Sequence, residues 1–335
     1  MTRQLQVMLY GATGHTGGFV LGELAARGHG VLAVGRASDR LQALAARGTP
    51  TFSAELQDAK ALTEAAAQCD LVINCAGPFL DTAAPVIEAA LRARRPYIDV
   101  TAEQASALDT VERFHAPALA AGVAVVPAMA FFGGLGDLLA SAVLGDWDGA
   151  DQLDLAIALD SWRPTAGTLA TGARNTAPRL AVQDGRLAPI ATPPQARTWR
   201  FPPPFHDQDV VELPFTEMVH LSRHLPVPAI RSWFMTAPLA QLRDPDTGGP
   251  QAIDPLGRSS QTFLTHCEVR RGDQVRRGWV AGQDIYAITA PLAVSLAEAL
   301  VAGELSGVLA PSQATPARAL LEGLGEARLK TVLDA

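Results

Sequence analysis

Hydrophobic and polar positions along the first third of the chain follow a repeating alternation of strand and helix periods. Residues 5–10 (LQVMLY) alternate and then run apolar into a glycine cluster, as a buried parallel strand does. TGGFVLGELAARG follows with apolar residues at helical spacing (Phe19, Val20, Leu24) and stops at Gly28. VLAVGR at 31–36 predicts a second strand and DRLQALAARG a helix ending at Gly48. PTFSAEL carries a third strand with DAKALTEAAAQC as its helix, and DLVINCAG at 70–77 a fourth with TAAPVIEAALRARR. PYIDV at 96–100 gives the fifth, followed by helix SALDTVERFHAPALAAG and strand VAVVPAM. Strands alternating with helices through short glycine-containing joints predict an α/β doubly wound parallel sheet.

The pattern changes after residue 150. LDLAIALD reads as a strand, and PTAGTLATGARNTAP as a loop that opens a helix. Residues 185–260 carry ATPPQ, FPPPF, LPVP and DPDTGGP, which predicts short, edge-tolerant strands with long loops. QTFLTHCEVRRGDQVRRGWVAGQDIY alternates again, as an antiparallel hairpin turning at Gly272-Asp273 would, and the tail from Ala287 is helical.

Composition narrows the class of function. The 335 residues are 48% hydrophobic with a net charge of −7 and no block of like charges, so a nucleic-acid partner is not expected. Cys69, Cys75 and Cys267 form neither a CxxC pair nor an even framework, and no secretory leader is visible, so a cytoplasmic setting is expected. Residues 123–145 are apolar enough to suggest a membrane span. However, Pro127, Gly133, Gly134, Gly136 and Asp137 fit a strand, a glycine-rich loop and a helix better, and no stable membrane insertion is expected.

Candidate chemistry begins at LYGATGHTGG, where Gly11, Gly14 and Gly17 stand three apart between the first strand and the first helix. Such a turn lets backbone come close to a dinucleotide pyrophosphate, which then faces the free amides and positive dipole of the helix start. Gly11, Thr13, Gly14, His15, Thr16 and Gly17 are the candidate phosphate-binding residues. At the end of the second strand an acidic residue would hold a ribose 2′-hydroxyl, whereas arginine accommodates a 2′-phosphate. The chain reads AVGRASDRL there, with Arg36 and Arg40 and no acid ending the strand, which points to NADP (NADPH). The alternative is that both arginines are solvated loop residues. Tyr10, Tyr97 and Tyr286 all lack a lysine four positions on, so a Tyr-x-x-x-Lys proton-transfer pair is excluded.

Further motifs resemble the saccharopine dehydrogenase-like oxidoreductases, a family that includes the trans-acting enoyl reductases. VINCAGPF (72–79) matches the family's strand ending in Asn-Cys-x-Gly-Pro-Phe, through Asn74, Cys75, Gly77, Pro78 and Phe79. YIDVTAE (97–103) is similar to Tyr-x-Asp-x-x-Gly-Glu, with Ala102 in place of the glycine. AFFGGLGDLLA keeps Phe131 and Asp137 of the next family loop but loses its Asp-Ser and Pro-Ser elements, and AGTLAT, GQDIYAITA and GVLAP also resemble family patterns. The resemblance implies a Rossmann NADP-binding domain over 1–128 with C-terminal helices returning over 288–335. It also implies a substrate and dimerisation domain over 129–287, α+β and built on a mainly antiparallel sheet.

The same motifs supply the remaining candidates. Asn74, Cys75, Ala76, Gly77 and Pro78 follow the fourth strand at the carboxyl edge of the sheet, where ligands bind. Cys75 reads either as a nucleophile or as a small buried thiol. Tyr97, Asp99 and Glu103 are the catalytic candidates. Asp99, Thr101 and Glu103 would project from the strand end toward the cleft, where a carboxylate can orient a substrate amine or relay a proton. Equally, the two carboxylates can cap the next helix and satisfy loop amides. Gly167 and Thr168 can present backbone amides to the cleft, and Arg163 and Arg174 can clamp a carboxylate or form surface ion pairs. His206, His220 and His224 lack metal spacing, and no metal is expected. The expected function is hydride transfer between a nicotinamide and a small organic substrate, either an imine or amino acid adduct or an activated double bond, in a protein that by analogy forms a homodimer. The competing reading is an NADP-binding sensor without turnover.

Overall fold

The first half of the chain runs β1 (Gln6–Tyr10), α1 (His15–Ala26), β2 (Gly30–Gly35), α2 (Asp39–Ala46), β3 (Thr51–Ser53), α3 (Ala59–Ala67), β4 (Leu71–Asn74), α4 (Phe79–Ala93), β5 (Tyr97–Asp99), α5 (Gln104–Ala121) and β6 (Ala124–Val126). A tight turn over Phe131–Leu135 leads into α6 (Gly136–Leu144) and β7 (Gln152–Leu159). Then come α7 (Ala166–Arg174), β8 (Leu180–Gln183), β9 (Arg186–Pro189), β10 (Ala196–Arg200), β11 (Asp207–Glu212), α8 (Glu217–His224), β12 (Ala229–Met235) and α9 (Ala237–Arg243). The chain closes with β13 (Thr262–Arg271), β14 (Gln274–Gln283), α10 (Thr289–Ala302), β15 (Gly307–Val308), α11 (Pro311–Ala314), α12 (Ala317–Gly323) and β16 (Leu329–Leu333). This computed structural model describes residues 3–333.

Seven strands form a parallel sheet in the order β15-β6-β5-β4-β1-β2-β3. Tyr10 at the end of β1 pairs with Val34 on one side and Asn74 on the other, so the carboxyl ends of β1, β2 and β4 lie level. The strand order reverses between β1 and β4, which opens a crevice there for a ligand. The first sheet is therefore the Rossmann type that the alternating pattern predicts.

The second sheet runs β10-β11-β12-β7-β13-β14-β16, with β8 and β9 attached beside β12. Its pairs are antiparallel except β12 with β7. Arg271 pairs with Gln274, so the β13–β14 hairpin turns at Gly272-Asp273. The expectation of edge-tolerant strands through 185–260 is corrected at β12, which lies inside the sheet between β11 and β7. The prolines of that stretch fall outside AIRSWFM, whose amides are all free to join a ladder.

The C-terminal return is split. α10 packs on α1, and β15 extends the first sheet beside β6. β16, by contrast, pairs with β14, so the end of the 288–335 segment belongs to the second sheet. One core joins the layers, from Val7, Leu9 and Ile73 through Leu135, Leu138 and Leu292 to Leu153, Leu155 and Ile157. Residues 123–145 form a strand, a turn with Gly133 at φ +130° and a helix. Among the described residues no helix is long and apolar enough to cross a membrane.

Candidate functional site

A cavity of about 1210 Å³ opens at the crevice between β1 and β4 and continues to the second sheet. Its nucleotide end is shaped by glycines. Gly11 has φ +85°, and a Cβ there would lie 2.8 Å from the Ala76 amide nitrogen. A Cβ on Gly17 would collide with the Gly11 carbonyl oxygen. Gly11 thus makes the turn, Gly17 lets α1 close onto it, and Gly14 stands between them as the residue that caps α1. Gly11, Thr13, Gly14, His15 and Thr16 line the cavity, while Gly17 lies behind them. The first turn of α1 has no side-chain cap and no acidic residue, so its unpaired amides are left for an anion.

Arg36 and Arg40 line the same cavity just past the end of β2. Neither is within ion-pair distance of a carboxylate among the described residues. A glycine cradle, an uncapped helix start and two unpaired guanidiniums at the end of β2 fit a dinucleotide carrying a 2′-phosphate.

The turn after β4 forms the next wall. Cys75, Ala76, Gly77 and Pro78 line the cavity, whereas Asn74 is buried beneath them. Asn74 accepts from the Ala76 amide (3.0 Å) and donates to the Tyr97 hydroxyl (3.1 Å) and Thr82 Oγ1 (3.3 Å), which holds the turn in place. Burial pushes the Cys75 thiol well up, with Asp99 adding to the rise, so it stays protonated and is a poor nucleophile.

Tyr97, Asp99 and Glu103 lie behind the cleft instead of projecting into it. Side chains alternate along this extended stretch: Val100 and Ala102 face the cavity, while Tyr97, Asp99, Thr101 and Glu103 have no exposed surface. Asp99 Oδ1 accepts from the amides of Thr101 (3.0 Å) and Ala128 (2.8 Å), and Oδ2 accepts from the Tyr97 hydroxyl (3.0 Å). Burial raises the Asp99 carboxyl to about 6 against the pull of those three donors. Glu103 accepts from the amides of Phe79 (2.8 Å) and Leu80 (3.2 Å), capping α4 from a neighbouring loop. It too is raised by burial. Both carboxylates are therefore held by amides and neighbouring hydroxyls behind the cleft; of the second sequence reading the loop amides are found, but α5 has no side-chain cap and the helix that Glu103 caps is the preceding α4.

The far end of the cavity is built from side chains. Phe132 stacks on Phe215 with ring centroids 4.1 Å apart, and Trp162 tilts against Phe132 at 5.4 Å. The Tyr286 oxygen accepts from Trp162 Nε1 (3.3 Å) and the Thr165 amide (3.4 Å) and lies 3.0 Å from Thr168 Oγ1. His15 of the phosphate loop meets the Tyr286 ring edge-on at 5.3 Å. Burial raises the Tyr286 hydroxyl and lowers the His15 imidazole. Gly167 and Thr168 line the cavity at the start of α7. Arg174 makes a two-pronged ion pair with Asp81 of α4 (2.8 and 2.9 Å), so it ties α7 to α4 instead of waiting for a ligand.

Sequence reasoning missed Phe132, Trp162, Arg179 and Phe215. They come from four separate segments and share no local spacing, and only Tyr286 carried a signal, inside GQDIYAITA. The histidines outside the cavity have other partners or none. His224 Nε2 meets Asp137 Oδ1 at 2.6 Å, and His220 is buried and lowered to about 4. Among the described residues no group of three or more His, Cys, Asp or Glu is placed to hold a metal ion.

Comparison with known proteins agrees with this geometry. Residues 7–126 match the family model for the saccharopine dehydrogenase NADP binding domain. Trans-acting enoyl reductases of Mycobacterium tuberculosis and Mycobacterium leprae are 27% identical over 137 and 140 residues, covering 38% of this chain and 33% of theirs. The match thus spans about a third of the length of these curated relatives. The apo saccharopine dehydrogenase (L-Glu forming) of Saccharomyces cerevisiae superposes with a TM-score of 0.68 at 13% identity, covering 99% of this chain and 100% of that one. The chain therefore has the fold of saccharopine dehydrogenase, and its residues 7–126 are similar to the saccharopine dehydrogenase NADP binding domain.

Proposed function

We propose that this protein is an NADP(H)-dependent oxidoreductase acting on a small organic substrate, an imine or an activated double bond. The observation that carries this reading is the continuity of one cavity from the glycine loop and Arg36 to the aromatic wall and Tyr286. In this reading the start of α1, with Gly11, Thr13, Gly14, His15 and Thr16, holds the pyrophosphate, and Arg36 and Arg40 take the 2′-phosphate. Cys75 to Pro78 form the wall beside the ring, shaped from below by Asn74. The dinucleotide supplies the hydride chemistry when bound. Phe132, Phe215 and Trp162 give the substrate an apolar face and keep water from it. The hydroxyls of Tyr286 and Thr168 hold the proton that the reduced substrate takes up, and burial keeps the tyrosine protonated through neutral pH. Tyr97, Asp99 and Glu103 act as positioning residues, since their polar atoms are spent on the loops that form the cleft.

Stopped-flow mixing of the NADPH-loaded protein with the imine 2-methyl-1-pyrroline and with the carboxylated enone 3-benzoylacrylate tests this reading. Substrate-dependent loss of NADPH absorbance is expected with one of the two. Tight NADPH binding with no oxidation by any imine or enone would instead favour a nucleotide sensor, a reading supported by the burial of both carboxylates of the YIDVTAE motif.

A further inference from the structure

Arg179 is a half-buried guanidinium that lines the far end of the cavity and has no carboxylate within ion-pair distance among the described residues. Its Nη1 donates to the Pro214 carbonyl (3.1 Å), and its charge lies 4.9 Å above the Phe215 ring. Burial lowers its basicity, and the nearby Glu217 only partly offsets that. Glu217 is itself engaged by the Phe215 amide (2.9 Å).

The position of Arg179 is fixed from the opposite domain. Gln104 at the start of α5 accepts from the Leu180 amide (2.9 Å) and donates to the carbonyls of Leu180 (2.8 Å) and Phe215 (2.7 Å). One side chain therefore holds both the strand that follows Arg179 and the loop that carries the ring beneath it. A guanidinium kept half-dry and unpaired at the rim of an apolar wall is costly unless an anion completes it.

The other charges in the cavity sharpen the match. Glu55 stands at the nucleotide end, beside Tyr10 and Arg36. Asp81 is taken by Arg174. No free carboxylate remains at the far end to receive an ammonium group, and Arg179 is the one unpaired cation among the residues lining it. One guanidinium balances the single charge of a carboxylate and leaves half the charge of a phosphate dianion unmatched in a half-dry site.

We propose that the substrate of this cleft is a monocarboxylate with an apolar or aromatic body and no positive charge. Its carboxylate is seated on Arg179 and its body lies against the Phe132–Phe215 stack. This rests on the reading that the far end of the cavity is the substrate site, and it separates this protein from enzymes of zwitterionic amino acids.

The test is binding to the NADP⁺-saturated protein by calorimetry, with cinnamate, 4-phenylbutyrate and octanoate as carboxylates and cinnamamide, phenylalanine and benzylphosphonate as comparators. At least one carboxylate is expected to bind, with cinnamate about tenfold or more tighter than cinnamamide. Arg179→Met should erase most of that ratio and Arg179→Lys should keep part of it, both with unchanged NADP⁺ affinity, which shows that the fold is intact. The proposal is overturned if acid and amide bind alike or if Arg179→Met keeps the preference. It is equally overturned if phenylalanine matches cinnamate, if benzylphosphonate outcompetes it, or if no carboxylate binds. A protein that holds cinnamate on Arg179 yet never oxidises NADPH would sink the oxidoreductase reading alone. Turnover of neutral enones at a rate indifferent to Arg179→Met would sink this one alone.

Discussion

The two ends of the cavity are made of different material. At the nucleotide end the glycine turn offers backbone, and the sequence contributes there by leaving side chains out, at Gly11, Gly14 and Gly17, with the Arg36 and Arg40 side chains only beyond it. At the far end the surface is side chain, with Phe132 from the turn after β6 and Trp162, Arg179, Phe215 and Tyr286 from four loops of the second sheet. A backbone cradle has no slack, because any added atom meets main chain that cannot rotate away. A side-chain wall repacks. Substitutions at the first end should therefore be abrupt and at the second graded, and each prediction below is a way to break that contrast.

The largest effect is expected from Gly11→Val. The position has φ +85°, and its Cβ would lie within 3 Å of Ala76 and Cys75. A β-branched residue there combines backbone strain with a collision between two loops, costing roughly 4 kcal/mol or more. Denaturant unfolding should register that loss, with NADPH affinity gone at any concentration tested. A variant that folds normally and binds NADPH within threefold of the parent would break the contrast at its strongest point.

Next comes Asp99→Ala, which leaves the amides of Thr101 and Ala128 and the Tyr97 hydroxyl without their acceptor. Three buried donors at ~1 kcal/mol each give a loss of about 3 kcal/mol. Asp99→Asn separates the charge from the shape. The carboxyl titrates at about 6 in the fold against 3.8 for an exposed aspartate. Protonation therefore favours the fold, and the contribution is fully present below about pH 4 and lost as pH rises through 6. Unfolding curves from pH 4 to pH 7 should show Asp99→Asn with a flatter stability profile than the parent, by on the order of 2 kcal/mol over the window. Parallel profiles would mean that Asp99 does not titrate there.

This contrast also explains what could be read before the structure was known. The first sheet and its helices were legible because phosphate recognition by backbone demands glycines at fixed offsets, and because buried parallel strands leave continuous apolar runs such as LVIN. The YIDVTAE motif was visible but ambiguous, since a carboxylate at a strand end looks alike whether it faces the cleft or the amides behind it. The alternation that decides the matter depends on where β5 ends. β12 was hidden by its neighbouring prolines, and Arg179 by the absence of any rule linking it to Phe215 or to Gln104, 75 positions earlier. Side chains that converge through tertiary structure leave no spacing to recognise.

A smaller effect is expected at Arg36. Replacing it with Gln removes one unpaired guanidinium at the end of β2. If it holds the 2′-phosphate, NADPH affinity falls by about 2 kcal/mol, roughly thirtyfold, while NADH affinity is unchanged. Equilibrium titration with both cofactors measures the ratio. An equal loss for the two would place Arg36 away from the 2′-phosphate and leave the choice to Arg40 alone.

The smallest effect belongs to Tyr286→Phe, where the ring stays and only the oxygen goes. That oxygen accepts from Trp162 Nε1 and the Thr165 amide and meets Thr168, so it ties down the start of α7, a helix with no buried residue of its own. The indole and amide donors left over are only part-buried, so the cost is about 1 kcal/mol. That cost falls on α7 rather than on the whole fold, because Arg174–Asp81 still anchors the other end of the helix. Hydrogen exchange should speed up about fivefold across 166–174 with little change elsewhere, and NADPH affinity should be unaffected. If the hydroxyl also carries the proton, kcat falls much more than KM rises, and Thr168→Val, which keeps the ring oxygen but removes its partner, shows the same split. Should Tyr286→Phe instead abolish NADPH binding outright, the far wall would prove as brittle as the glycine cradle, and the division between backbone and side-chain ends would not hold.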